Sequence, residues 1–194
     1  LWRVGQDTNW TLKTFASRPV IINPTDLDSS QDGGLFWGSS YTQRLSRRTT
    51  IESYYLGLKD DAWNFSNRQY STVGGRLVTS PLSGSTDLEI ESVWQFGRTD
   101  GLTHRAHFQH GTIGYQFSET WQPRMAFHYD FASGDENPED QRFGRFDTLF
   151  GARRFELNPT GTISLRQSDR RMQETSCWYR PLAKINHGTL GSHG

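Results

Sequence analysis

The chain has 194 residues, of which 21 are basic and 21 are acidic, so its formal net charge is zero. This balance argues against a nucleic-acid-binding protein, which is usually basic overall or on one face. No stretch of about 18 apolar residues occurs, which excludes a transmembrane helix, and seven Trp, seven Tyr and twelve Phe argue against a disordered chain. The single Cys177 excludes an intramolecular disulfide framework and a cysteine zinc site.

Seven segments alternate apolar and polar residues with the period of a β-strand, and turn-forming residues separate them. The predicted segments are 10–20, 34–45, 49–59, 70–80, 87–98, 104–117 and 123–133. Most have 11 or 12 residues, whereas an average globular strand has about 5–6 and a membrane-spanning strand needs about 9–11. The pattern predicts an all-β, antiparallel, up-and-down arrangement whose strands are long enough to cross a membrane.

The predicted connections alternate in length. Short connections follow the second, fourth and sixth segments, whereas those after the first, third, fifth and seventh are mostly longer and polar, as at 22–34, 60–69 and 133–148. Outer-membrane β-barrels combine short periplasmic turns with long extracellular loops. Trp and Tyr residues near the predicted strand ends fit an interfacial aromatic girdle, although aromatic residues are also good strand formers.

Alternation also predicts which residues share a face. In RMAFHYDF (124–131), apolar or aromatic residues alternate with Arg124, Ala126, His128 and Asp130. Charged groups avoid hydrocarbon and must face water. The predicted water-facing set is Lys13, Arg44, Glu52, Arg76, Glu89, Glu91, Arg124, His128 and Asp130.

A wall with this mixed charge predicts a wide, watery lumen, because a small soluble barrel fills its interior with apolar side chains. The opposite, apolar face would then lie against lipid, with Trp37, Leu88, Ile90, Met125 and Phe127 in one continuous outer band.

Segment 104–117 contains a conflict. If Ile113 and Tyr115 face lipid, His107 and Gln109 face it too, and a β-bulge or a position near the rim would resolve this.

Three distinctive stretches are TLKTFASRPV (11–20), LEIESVWQFGR (88–98) and YDFASGDENPED (129–140), the last followed by FDTLF (146–150). Together with others along the chain, they resemble the alginate-export family of bacterial outer-membrane β-barrels. The resemblance covers about residues 1–160 and implies a barrel with many more strands than seven, so that this chain is an incomplete transmembrane barrel and a fragment. Residues 1–162 are predicted to form the partial barrel, and residues 163–194 an irregular tail that is disordered or frame-shifted.

The resemblance further implies passive export of an anionic, alginate-like polysaccharide across the outer membrane of a Gram-negative bacterium, through a lumen lined with basic side chains. Outer-membrane lipid and periplasmic export components are the implied partners. No enzymatic activity and no cofactor are implied.

A polyuronate carries carboxylates that arginine can bind through a bidentate, permanently charged group. The substrate-path candidates are Lys13, Arg76 and Arg124 on water-facing positions, and Arg44, Arg98 and Arg105 nearer the rims. The alternative is that each arginine pairs with a carboxylate such as Glu89, Glu91 or Asp130 and braces the wall.

Other chemistry is predicted to be absent. The acidic residues Asp135, Glu136, Glu139 and Asp140 lack the spacing of an EF-hand and are expected in a solvated loop, with calcium binding as the alternative. His104 and His110 share a strand face while His107 points away, which argues against a three-histidine metal site.

A second function stays open from the sequence. Glu89 and Glu91 share one face near the carboxylate separation of retaining glycosidases. A soluble, secreted all-β carbohydrate-binding module or glycosidase would use exposed aromatic residues as sugar platforms. It predicts aromatic residues divided between a packed core and one exposed patch.

Overall fold

The computed structural model describes residues 1–4, 9–21, 29–30, 33–63, 66–135, 137, 139–149 and 172–180. These residues form strands and connecting segments. No helix among them is long and apolar enough to cross a membrane.

The strands are numbered in chain order. They are β1 (Trp2–Val4), β2 (Trp10–Ser17), β3 (Val20–Ile21), β4 (Ser29–Ser30), β5 (Leu35–Arg44), β6 (Thr49–Trp63), β7 (Ser66–Thr79), β8 (Ser85–Thr99), β9 (Leu102–Gln116), β10 (Arg124–Ala132), β11 (Arg142–Phe143) and β12 (Met172–Arg180). The seven predicted strands are confirmed as β2 and β5 to β10. Strands β6, β8 and β9 each reach 15 residues.

Ten of these strands form one open sheet. Nine of them lie in the order β1-β2-β5-β6-β7-β8-β9-β10-β12 with antiparallel pairings throughout. Strand β11 pairs in parallel with Thr103 and His104 of β9, beyond the point where β10 ends. The all-β, antiparallel, up-and-down fold is therefore confirmed, in the form of an open sheet.

The prediction of an irregular tail is wrong for β12, because these nine residues pair with the whole of β10. The remainder of 163–194 lies outside the described residues.

Two predicted loops at one end of the sheet are much shorter than expected. Most of 60–69 is strand, because β6 continues to Trp63 and β7 begins at Ser66. Strands β8 and β9 are joined by Asp100 and Gly101 alone, whose φ angles of 53° and 82° are those of a type I′ hairpin turn. The long connections at this end are 18–34 and 133–149, so we call it the long-loop end, and the opposite end the short-turn end.

The cross-strand register sorts the side chains onto two faces, because successive residues of a strand point to opposite sides. We call one the polar face, which carries Glu52, Arg76, Glu91, His110 and Asp130 as successive cross-strand partners. We call the other the aromatic face. It carries Trp37, Tyr55, Leu88, Ile90, Trp94, Ile113, Met125 and Phe127.

The conflict in segment 104–117 is resolved without a bulge. Strand β9 pairs with β8 from Leu102 to Gln116 with no register shift. His107 and Gln109 consequently lie on the aromatic face, where the His107 ring stacks between Trp94 at 5.0 Å and Phe131 at 5.3 Å. The predicted bulge is therefore wrong, and an aromatic stack accommodates the imidazole instead.

The packed core lies on the half of the polar face nearer the long-loop end. Leu58, Tyr70, Val93 and Phe108 are buried there. Residues of segment 133–149 cover them, since the Phe146 ring stacks on Phe108 at 5.5 Å. The half nearer the short-turn end carries Glu52, Arg76, Asp87, Glu89 and Arg124, whereas Asp60 and Arg68 form an ion pair at the long-loop end, beside the core.

Candidate functional site

The polar face is divided in charge along the strand order. Among the described residues of β1, β2 and β5, its charged side chains are all cations, namely Arg3, Lys13 and Arg44. On β6 to β10, six carboxylates accompany three arginines. The carboxylates are Glu52, Asp60, Asp87, Glu89, Glu91 and Asp130, and the arginines are Arg68, Arg76 and Arg124. Strands β6 to β10 therefore do not present a uniformly basic surface.

The two central path candidates are held by carboxylates. Arg76 donates from Nη2 and Nε to Oε1 of Glu89 at 2.6 and 3.0 Å. Arg124 donates from Nε to Oδ2 of Asp87 at 3.0 Å, and its Nη2 contacts Oδ1 of the same carboxylate. This is the bracing arrangement that the sequence left open, with Asp87 as a partner that the sequence analysis did not single out. Its position in β8 at the spacing of Glu89 and Glu91 was the available signal.

Glu91 is held from the neighbouring hairpin. The Tyr54 hydroxyl donates to Oε1 of Glu91 at 2.8 Å. To reach it, the Tyr54 ring passes directly over Gly74, where any Cβ would collide with the ring. A glycine is thus required at position 74, because the Tyr54 ring that holds Glu91 passes too close for any side chain there.

His110 joins two strands of the polar face. Its Nδ1 lies 2.6 Å from Oδ1 of Asp130, and its Nε2 lies 3.2 Å from Thr112 Oγ1. The same Thr112 hydroxyl is 2.8 Å from Nδ1 of His128. His110 and Asp130 are both buried, so this chain of hydrogen bonds satisfies polar groups that would be costly to bury alone.

Lys13 and Arg44 lie on the polar face as predicted from the alternation, and Arg44 is exposed. Neither makes an ion pair with another residue that the structure describes. Of the predicted substrate-path cations on this face, they are therefore the ones best able to meet a passing anion. Their role in a substrate path stays a prediction, as does the lumen position of Glu52, Glu89, Glu91, His128 and Asp130.

Arg98 and Arg105 require a correction. Arg98 follows Trp94 and Phe96 on one face of β8, and Arg105 is the cross-strand partner of Phe96. Both therefore lie on the aromatic face and cannot share a wall with Arg76 and Arg124. They sit at the long-loop end, as nearness to the rim predicted. Their facing was also available from the alternation, because Arg98 lies two residues after Phe96 and Arg105 two residues before His107.

Segment 133–149 is anchored over the polar face by Asp147. The Asp147 carboxylate accepts hydrogen bonds from Arg68 Nη1 at 2.7 Å and from the Tyr70 hydroxyl at 2.5 Å. Its backbone N–H donates to Gln95 Oε1 at 2.8 Å, and its carbonyl accepts from Gln95 Nε2 at 2.7 Å. The sequence predicted a polar loop here, and its docking onto the sheet was missed.

The three histidines of β9 have different surroundings. His104 stacks on Tyr70 at 4.4 Å and bonds to Thr99, His107 belongs to the aromatic face, and His110 contacts Asp130. No group of three or more potential metal ligands comes together among the described residues. In the acidic loop, Glu136 lies outside the described residues, and calcium binding there stays untested.

The comparison with known families decides the relationship of the chain. The alginate export family matches residues 2–165. The chain belongs to that family. The resemblance predicted over about residues 1–160 is thereby confirmed, and it ends within the segment where strand alternation fades. No curated protein and no solved structure matches the chain.

Proposed function

We propose that the protein is an outer-membrane β-barrel channel of a Gram-negative bacterium through which an anionic, alginate-like polysaccharide is exported passively. In this proposal the aromatic face lies against lipid and the polar face lines the lumen. Membership of the alginate export family supports transport of a polysaccharide rather than catalysis.

The observation that carries the proposal is the separation of charge between the two faces. On β1, β2 and β5 to β10, the described residues of the aromatic face include only Lys59, Asp61, Arg98 and Arg105 as charged side chains, and all four lie at the long-loop end. The polar face carries charged residues along most of its length. Such a distribution suits a hydrocarbon environment on one side, because an Arg or Lys at the bilayer midplane costs about 2–4 kcal/mol.

The aromatic face is also continuous, which favours a barrel over the soluble carbohydrate-binding module. Ile90, Trp94, Ile113, Met125 and Phe127 are each about half exposed and lie on three adjacent strands. Trp10, Tyr41, Tyr55 and Val73 are also exposed and continue this surface across β2, β5, β6 and β7, so the exposed apolar residues are not confined to one patch as in a sugar platform. Large exposed apolar surfaces mark contact with a partner or a membrane.

The charge division of the polar face refines the substrate path. Arg76 and Arg124 are neutralised by Glu89 and Asp87, so they are assigned the bracing role. Lys13 and Arg44, on strands without carboxylates on this face, are proposed to contact the polymer. Weak contacts of this kind favour conduction over trapping.

The test uses the protein expressed from its full gene. Fractionation into the outer membrane with heat-modifiable electrophoretic mobility is expected, and recovery in a soluble fraction would contradict the barrel. In planar bilayers the reversal potential is expected to show anion preference that Lys13→Glu with Arg44→Glu weakens. A cation-selective wild-type pore would contradict a polyuronate substrate but would remain compatible with a β-barrel.

A further inference from the structure

Two arginines stand side by side on the aromatic face at the long-loop end. Arg98 of β8 is the cross-strand partner of Thr103, and Arg105 lies two residues further along β9. The two are thus diagonal neighbours on adjacent strands, a relationship with about 7–8 Å between backbone positions that long side chains easily span. Both are exposed.

Nothing in the described part of the chain compensates their charge. Neither side chain makes a hydrogen bond or ion pair with a described residue. Nearby Lys59 contacts Asp61 at 3.4 Å, and Asp100 accepts a hydrogen bond from the backbone N–H of Asn67 at 2.7 Å. Two adjacent guanidinium groups without a carboxylate between them repel each other. An anion bound between them would reduce this repulsion.

The two arginines lie just beyond an aromatic stack, on the side nearer the long-loop end. The stack of Trp94, His107 and Phe131 crosses three strands of the aromatic face. Arg105 precedes His107 by two residues in β9, which begins at the long-loop end, so it lies about 7 Å nearer that end at the usual rise of a strand. Aromatic rings at the membrane interface sit at the head-group level, and cations just beyond them meet phosphates.

We propose that Arg98 and Arg105 together bind the phosphate of an anionic lipid head group in the leaflet at the long-loop end. Guanidinium groups bind phosphate oxygens in bidentate fashion. Gln69 and Thr103, each a cross-strand partner of Arg98, add polar side chains beside the site. This inference rests on the proposed membrane orientation of the aromatic face.

The experiment measures lipid retention by the detergent-solubilised, full-gene protein in native mass spectrometry. The probes are phosphatidylglycerol and, as the neutral comparison, phosphatidylcholine. Arg98→Gln with Arg105→Gln is expected to lower phosphatidylglycerol retention at least several-fold and to leave phosphatidylcholine retention unchanged. Arg98→Lys with Arg105→Lys keeps the charge and is expected to retain most of the binding. Arg47→Gln removes an exposed arginine at the short-turn end and is the control for loss of one charge.

Three results would overturn the inference: unchanged retention in the double glutamine variant, an equal loss in Arg47→Gln, or displacement of the lipid by equimolar inorganic phosphate or soluble polyuronate. Displacement would identify the site as one for soluble anions. Heat-modifiable mobility is measured on the same samples. A double glutamine variant that keeps the heat-modifiable mobility and still binds lipid normally contradicts this site alone. A wild-type protein without heat-modifiable mobility contradicts the proposed barrel.

Discussion

Arg76 and Glu89 are bound diagonally across two strands, although the direct cross-strand partner of Arg76 is Glu91. Glu91 instead accepts a hydrogen bond from the Tyr54 hydroxyl, which reaches it across Gly74 of β7. The polar face is therefore built of interlocked pairs in which Tyr54 and Arg76 hold neighbouring carboxylates of β8.

Arg76→Gln is expected to lower the free energy of unfolding by about 1 kcal/mol, the upper range for an exposed pair. The side chains are 39% and 26% exposed, so solvent screens much of the attraction. Urea unfolding in detergent micelles measures the effect. The double variant Arg76→Gln with Glu89→Gln should cost less than the sum of the two single changes, and strict additivity would show that the pair contributes nothing.

Gly74→Ala is expected to lower the free energy of unfolding by about 1–3 kcal/mol, as overpacking does. The new methyl group would push the Tyr54 ring away and break its hydrogen bond to Glu91. Gly75→Ala is the matched control, because its Cβ would meet only the Glu52 carbonyl oxygen at 3.7 Å. In a Tyr54→Ala background the Gly74→Ala penalty should largely disappear. A penalty that persists there would locate the strain elsewhere.

Ile90→Arg tests the surroundings of the aromatic face. Ile90 lies near the middle of β8 and Phe96 lies toward the long-loop end of the same face. In lipid, arginine should cost about 2–4 kcal/mol at the midplane and about 0–1 near the interface, so Ile90→Arg should destabilise far more than Phe96→Arg. The measurement is urea unfolding from lipid vesicles. Small and equal effects at the two exposed positions are what a soluble domain would give.

Asp147→Ala is expected to release segment 133–149 from the polar face. A hydrogen bond to a charged group contributes about 1.5–3 kcal/mol, so losing those from Arg68 and Tyr70 should open the segment at least about 10-fold more often. Amide hydrogen exchange across 133–149 follows this opening. Glu139→Ala, an exposed carboxylate of the same segment, should leave exchange unchanged. Equal protection in Asp147→Ala and wild type would mean that aromatic packing alone holds the segment.

The seven long strands and their facing could be predicted because alternation is a local property that every strand displays. RMAFHYDF shows it over eight residues, and β10 has the predicted facing throughout. The hairpin extension through 60–69 was missed because most of its residues are polar and both faces carry polar residues, a composition that resembles a loop. The turn at Asp100 and Gly101 carried a recognisable Asp-Gly signal that was not used.

The contacts of the polar face could not be read from the sequence in the same way. Register brings Arg76 opposite Glu91, yet the choice of Glu89 depends on side-chain conformations and on Tyr54. Arg68 and Asp147 are 79 residues apart, and no local pattern announces that they meet. Strand β12 lies where alternation is poor, so its pairing with β10 depends on the partner strand more than on its own sequence.

The polar face is divided into a cationic part on β1, β2 and β5 and a part with more carboxylates than arginines on β6 to β10. This division determines how the attraction of a polyanion changes with ionic strength. The Debye length is about 30 Å at 0.01 M salt and about 8 Å at 0.15 M. A uniformly basic wall would attract a polyanion much more strongly as salt is diluted. On the divided wall, attraction and repulsion largely cancel at long range, so transport along Lys13 and Arg44 should depend only weakly on salt.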